Sequence, residues 1–193
     1  MSLPRVLIVA LLGVASTGAA FGQQAAATIV PQAPGGLSIA FDAPHGQLTA
    51  TGFALKATPM TANSTRTTGT IEVALSINLV SKFRKGTTFP CAILVLGGQL
   101  DAANQKVDGG METASGLASV NAANPSTATC MLSIPYAWTF QNDATASTGL
   151  VLAFAVAGLT PQGVTQRSTV QVTGVDALPA SGATTTFAFD AAL

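Results

Sequence analysis

Apolar and polar residues alternate with a period of two along most of this chain, and that constrains its fold more than any other feature. In Thr70 to Val80, TIEVALSINLV, residues Ile71, Val73, Leu75, Ile77 and Leu79 point one way, and Glu72, Ala74, Ser76 and Asn78 the other. Successive side chains on a strand face opposite sides, so this spacing describes a half-buried β-strand, not a helix of 3.6-residue repeat. In Thr127 to Phe140, one face holds Cys130, Leu132, Ile134, Tyr136, Trp138 and Phe140, including the only Tyr and the only Trp. That face is the expected heart of the core. Pro135 lies opposite and lacks an N–H, which predicts an edge position or a bulge.

Thr87 to Leu96 is apolar on both faces and predicts a central strand covered on both sides. Leu150 to Leu159 is a run of ten positions that reads as a buried strand. Arg167 to Val175 and Thr184 to Phe189 also alternate, with Phe187 and Phe189 inward. Earlier candidates are Thr28 to Val30, Leu37 to Phe41 and Gln47 to Leu55. Turn residues punctuate these runs, and Ser81 to Gly86 reads as a turn. The expected fold is all-β: an antiparallel β-sandwich of immunoglobulin-like or Greek-key type with about 7–9 strands. The longest polar interval, 98–126, reads as a long loop with a weak strand near Leu117 to Val120.

The first 22 residues, MSLPRVLIVALLGVASTGAAFG, read as a secretory signal peptide. Arg5 supplies the positive n-region, Val6 to Ala15 the apolar h-region, and Ala20 and Gly22 the small residues of a cleavage site. The expected organisation is a signal peptide at 1–22, a flexible N-terminal arm at 23–36 and one β-sandwich domain at 37–193. Periplasm, cell surface or medium is the expected destination, with no membrane insertion after the leader is removed. Losing Arg5 leaves 7 Lys and Arg against 8 Asp and Glu, a net charge of −1. No long-range field then favours nucleic acid or an anionic membrane. Charged residues make up only 8% of the chain, so Thr, Ser, Asn, Gln and Gly must form most of the wet surface.

Two cysteines, Cys91 and Cys130, form an even pair in an exported chain and predict one disulfide. It would tie the ends of the 98–126 interval.

Catalytic and metal-binding patterns are sparse. The single histidine, His45, follows Asp42 by three positions in a Pro- and Gly-bearing turn. It has no second histidine or free thiol with which to build a zinc site or a nucleophile–base pair. A glycosidase needs two facing carboxylates, and no spacing here pairs them. Asp101, Asn104, Asp108 and Glu112 make the 98–126 interval acidic and mark it as a candidate interaction loop. Counted from Asp101, an EF-hand would need ligands where Ala103 and Gln105 stand and glycine where Lys106 stands, so that match fails. Lys82, Arg84 and Lys85 form the one basic cluster, with Phe83 between them, and read as a charged hairpin tip. Asn63-Ser64-Thr65 is an N-glycosylation sequon.

No metal, cofactor or catalytic residue is expected. The expectation is a non-enzymatic exported protein with a structural, cell-surface or binding role. Its partner would be a protein, a glycan or a second copy, met at a sheet edge or at the 98–126 loop. The alternatives are a carrier of a small apolar ligand, with Tyr136, Trp138 and Phe140 lining a pocket, and an enzyme with a dispersed carboxylate or metal site.

In outline, short strands with one cysteine pair resemble immunoglobulin-like sandwiches, although Trp138 follows Cys130 instead of lying between the cysteines. The N-terminal arm and the alternating end Phe187, Phe189, Ala191, Leu193 resemble chaperone-assembled pilus subunits. That resemblance would imply completion of the sandwich by a neighbour's strand. The mid-chain cysteines and Ala192 at the penultimate position depart from it.

Overall fold

The computed structural model describes residues 37–56, 58–101, 106–142, 147–174 and 176–193. The expected leader at 1–22, the expected arm at 23–36 and the candidate strand Thr28 to Val30 lie outside them. Strand accounts for 68% of the structure, and no helix occurs among the described residues. The chain is all-β, as its alternation requires.

Eleven strands are described: β1 (Ser38–Asp42), β2 (Gln47–Thr51), β3 (Ala54–Lys56), β4 (Ser64–Asn78), β5 (Pro90–Asp101), β6 (Lys106–Leu117), β7 (Ser119–Val120), β8 (Thr127–Gln141), β9 (Ser147–Leu159), β10 (Thr165–Val172) and β11 (Thr184–Ala192). They form a β1-β2 hairpin, a five-stranded sheet in the order β10-β9-β5-β6-β3, and a four-stranded sheet in the order β11-β4-β8-β7.

Antiparallel pairing dominates, but the sheets are mixed and curled, which corrects the expectation of a purely antiparallel fold. The C-terminal β11 runs parallel to β4, from Thr184 opposite Thr70 to Ala192 opposite Asn78. β3 runs parallel to the start of β6. A parallel neighbour needs a crossover connection. For β11 it is the chain after β10, where Asp176 first exchanges backbone hydrogen bonds with Leu150 and Gly182 N–H then donates to Thr68 O at 2.7 Å. The single run Gln47 to Leu55 divides into β2 and β3 at Gly52, whose φ of 83° suits glycine.

The facing sides of the two larger sheets share their apolar residues. Ile71 and Val73 of β4 pack with Ile93 and Val95 of β5, Ile134, Tyr136 and Trp138 of β8, and Leu150 and Leu152 of β9. Nearer one end, Leu75, Ile77, Phe89, Cys91, Cys130, Phe154 and Val156 join Ala191 and Leu193. The disulfide Cys91–Cys130 connects β5 to β8, with Cα atoms 6.7 Å apart. It therefore joins the two sheets instead of closing off a loop.

The β1-β2 hairpin covers the other side of the five-stranded sheet. Leu37, Ile39, Phe41 and Leu48 rest on Ala92, Leu94 and Leu96 of β5 and on Val151, Ala153, Ala155 and Ala157 of β9. Both central strands are thus buried on two faces, which is why they read as nearly continuous apolar runs.

The interval 98–126 is not a long loop. β5 continues to Asp101, and β6 and β7 occupy most of the remainder. The inward side of β6 carries Gly110, Ala114 and Gly116, close to Trp138, the shared core and Leu132 respectively. Small residues opposite large ones keep native packing density, so a strand that accommodates aromatic and Leu side chains looks polar and loop-like in sequence. Pro135 sits on β8, whose second side is paired by β7 only at Ala128 and Thr129. The edge expectation for Pro135 fits that arrangement.

Candidate functional site

The aromatic face of β8 is where an apolar ligand would have to enter. Trp138 is 2% exposed, and Tyr136 and Phe140 are also buried. Tyr136 and Trp138 stack with ring centroids 4.3 Å apart. The indole rests on a platform of glycines: Gly97 of β5 lies opposite Gly110 of β6, and Gly98 opposite Gly109. A Cβ on Gly97 would fall 1.9 Å from Trp138 Cζ3, and one on Gly110 would fall 2.0 Å from Cδ1. The rings fill the space between the sheets and line neither of the two surface clefts described below. Tyr136 Oη and Trp138 Nε1 are buried without a hydrogen-bond partner. Sequence reasoning did not single out these glycines, although GG at 97–98 and at 109–110 was visible.

Three of the four residues of the candidate interaction loop lie along the β5-β6 hairpin, where Asp101 pairs with Lys106, two positions before Asp108. Asp101 ends β5, and Asn104 falls outside the described residues. Asp108 lies on β6 as a structural acceptor. The Thr58 hydroxyl donates to Asp108 Oδ1, and the Gln141 N–H donates to Asp108 Oδ2 at 3.1 Å. Asp108 therefore ties the start of β6 to the end of β8 and to the segment before β4. Glu112 is half-buried on β6, in register with Val95. Among the described residues, no group of three His, Cys, Asp or Glu side chains is arranged to hold a metal.

His45 sits in the turn between β1 and β2, where its Nδ1 lies 2.7 Å from Asp42 Oδ2. Both side chains are well exposed. A cleft of about 400 Å³ lies beside this turn, between Gly46 to Leu48 and Thr113 to Ser115 of β6. Its side chains are a glutamine amide, two hydroxyls and aliphatic groups, with no second titratable residue. Glu72 faces outward on β4, 3.4 Å from the Thr186 hydroxyl. Asn63 of the sequon is exposed just before β4.

The residues of the basic turn also stay together. Lys82, Arg84 and Lys85 are exposed in the connection between β4 and β5. They border an open groove of about 680 Å³, whose other wall includes Val120, Pro125 and Ser126. Phe83 turns inward, packs edge-on against Phe89 at 5.0 Å and lies over Gly158. The turn is anchored by Thr87, whose N–H and hydroxyl both donate to Arg84 O, at 3.1 and 2.7 Å. Chemically, this groove offers fixed cations above an apolar floor.

No helix among the described residues is long and apolar enough to cross a membrane. The disulfide is compatible with an oxidising extracellular environment. No family model matches the chain, no curated protein matches it, and no solved structure matches it.

Proposed function

We propose that this chain is an exported, non-enzymatic β-sandwich domain of immunoglobulin-like or Greek-key type that works from its surface, in a structural, cell-surface or binding role. The observation that carries this reading is the filled interior: Trp138 occupies the volume above Gly97 and Gly110, so the space between the sheets is given to packing. The use of Asp108 as a structural acceptor supports it, as does the exposed, two-membered Asp42–His45 pair. The sandwich reading rests on the cores shared between the two larger sheets. The export reading rests on the leader-like first 22 residues together with the disulfide.

Two measurements on the chain beginning at Gln23 test the proposal. A panel of hydrolase substrates, with calcium or zinc added, is expected to show no turnover. Light scattering on a sizing column then separates a self-assembling subunit from a monomeric binding domain, and deleting 23–36 shows whether the arm drives assembly. Turnover of any substrate would overturn the non-enzymatic reading.

A further inference from the structure

Three connections meet at the pole of the molecule where β4 ends and β5 begins: 79–89, 118–126 and 160–164. Backbone bonds hold them together. Leu79 N–H donates to Ser126 O, and Ala118 N–H to Phe89 O, both at 2.8 Å. Thr88 and Leu159 exchange hydrogen bonds of 3.0 and 2.8 Å. The Gln166 amide donates to the Thr87 hydroxyl at 2.8 Å. The pole is a tied platform, not a set of independent loops.

The side chains of these segments carry only positive charge, and Leu193 reaches them, its O accepting from Ser81 N–H at 3.2 Å. Lys82, Arg84 and Lys85 are exposed there. Arg167 joins them: it is the cross-strand partner of Gly158, on the face of the sheet that Phe83 covers. No Asp or Glu occurs in 78–89, 117–127 or 159–167. Four of the 7 Lys and Arg beyond the leader are therefore gathered on segments without acidic residues.

The same segments expose aliphatic side chains. Val80 is 63% exposed, Leu117 68%, Val120 43% and Val164 57%. They are four of the seven exposed large hydrophobic side chains among the described residues. Scattered exposed aliphatics are ordinary, but Val80 and Val120 line the groove that Lys82, Arg84 and Lys85 border, so aliphatics and cations form one amphiphilic patch.

We propose that this pole docks peripherally on an anionic lipid surface. The cations would lie against headgroup phosphates, and the Val80 and Val120 tips beside them would enter the interfacial layer. Cations near an anionic leaflet are attracted within a Debye length, so a net charge near zero does not oppose docking by a local patch. Aliphatic tips gain by leaving water for the acyl boundary. A soluble polyanion would engage the cations and leave the aliphatics wet, so it accounts for only half of the patch. The inference names a partner for the surface role proposed above and rests on that reading.

The test is co-sedimentation of the chain beginning at Gln23 with phosphatidylcholine vesicles, with and without phosphatidylglycerol. The expected result is binding at least about tenfold stronger to the anionic vesicles, weakening as salt rises. Replacing Lys82, Arg84 and Lys85 by Gln removes that preference. V80S/V120S weakens vesicle binding severalfold and leaves binding to soluble dextran sulfate unchanged. All five sites are exposed, so both variants keep the parent melting temperature. Equal binding to both vesicle types, or none, overturns the proposal. So does dextran sulfate binding as strong as vesicle binding together with indifference to V80S/V120S, which would assign the pole to a polyanionic glycan. Failed docking without turnover or an apolar-ligand response overturns the lipid partner alone, whereas either of those activities overturns the surface role itself.

Discussion

Gly110 and Trp138 occupy complementary volumes: a Cβ on Gly110 would lie 2.0 Å from Trp138 Cδ1. Gly110 belongs to the five-stranded sheet and Trp138 to the four-stranded one, so this contact sets how closely the sheets approach on their β6–β8 side. Gly110→Ala is expected to destabilise the domain by about 2–4 kcal/mol, because the added methyl must displace a buried indole or a backbone. Denaturant unfolding measures the loss. Adding Trp138→Phe to Gly110→Ala should recover part of it, since the smaller ring vacates the contested space.

Tyr136 offers a change of opposite sign. Its hydroxyl is buried without a partner, close to the backbone of Gly69. Tyr136→Phe removes a desolvated polar group and keeps the ring that stacks on Trp138. The expected effect runs from neutral to a stabilisation of about 1 kcal/mol, whereas most core substitutions destabilise. A melting temperature below that of the parent would show that the hydroxyl contributes to stability.

The disulfide spans a sequence separation of 39 and joins the sheets through β5 and β8. In the chain-entropy account, closing a loop of that size contributes about 4 kcal/mol. Replacing both cysteines by Ala should lower the denaturant midpoint accordingly, and adding a reductant to the parent should reproduce most of the shift.

Asp108 accepts hydrogen bonds from Thr58 and from the backbone of Gln141. Asp108→Ala leaves the part-buried Thr58 hydroxyl without this acceptor, and a loss of about 1–3 kcal/mol is expected. Hydrogen exchange reads the effect locally: the Gln141 amide should lose protection while amides at the centre of β9 keep theirs. Unchanged protection at Gln141 would remove the tying role assigned to Asp108.

The legible parts of the fold were the strands with one consistent face. β4 shows it from Thr70 onward, its polar start Ser64 to Gly69 having gone unread, β8 shows it over most of its length, and β5 and β9 were recognisable from being apolar on both faces. The disulfide was legible because an even cysteine pair behind a leader-like segment has few other uses. What stayed hidden was β6, where Gly110, Ala114 and Gly116 are small because their partners are large. Complementarity of this kind is a property of two segments, and neither shows it alone. The parallel placement of β11 was equally invisible, since alternation fixes which residues face inward but not which strand lies alongside. Of the candidate sites, Lys82, Arg84 and Lys85 stayed together because they are adjacent in sequence, and Asp101, Asp108 and Glu112 were drawn out along β5 and β6 when their supposed loop proved to be strand.

Trp138, the only tryptophan, reports directly on whether the interior is packed shut. The decisive measurement is its fluorescence, quenched with acrylamide and then titrated with apolar ligands. A sealed interior predicts a blue-shifted emission, weak quenching and no response to any ligand. Strong quenching, or a saturable shift on adding an apolar compound, would contradict it and place a binding cavity between the sheets.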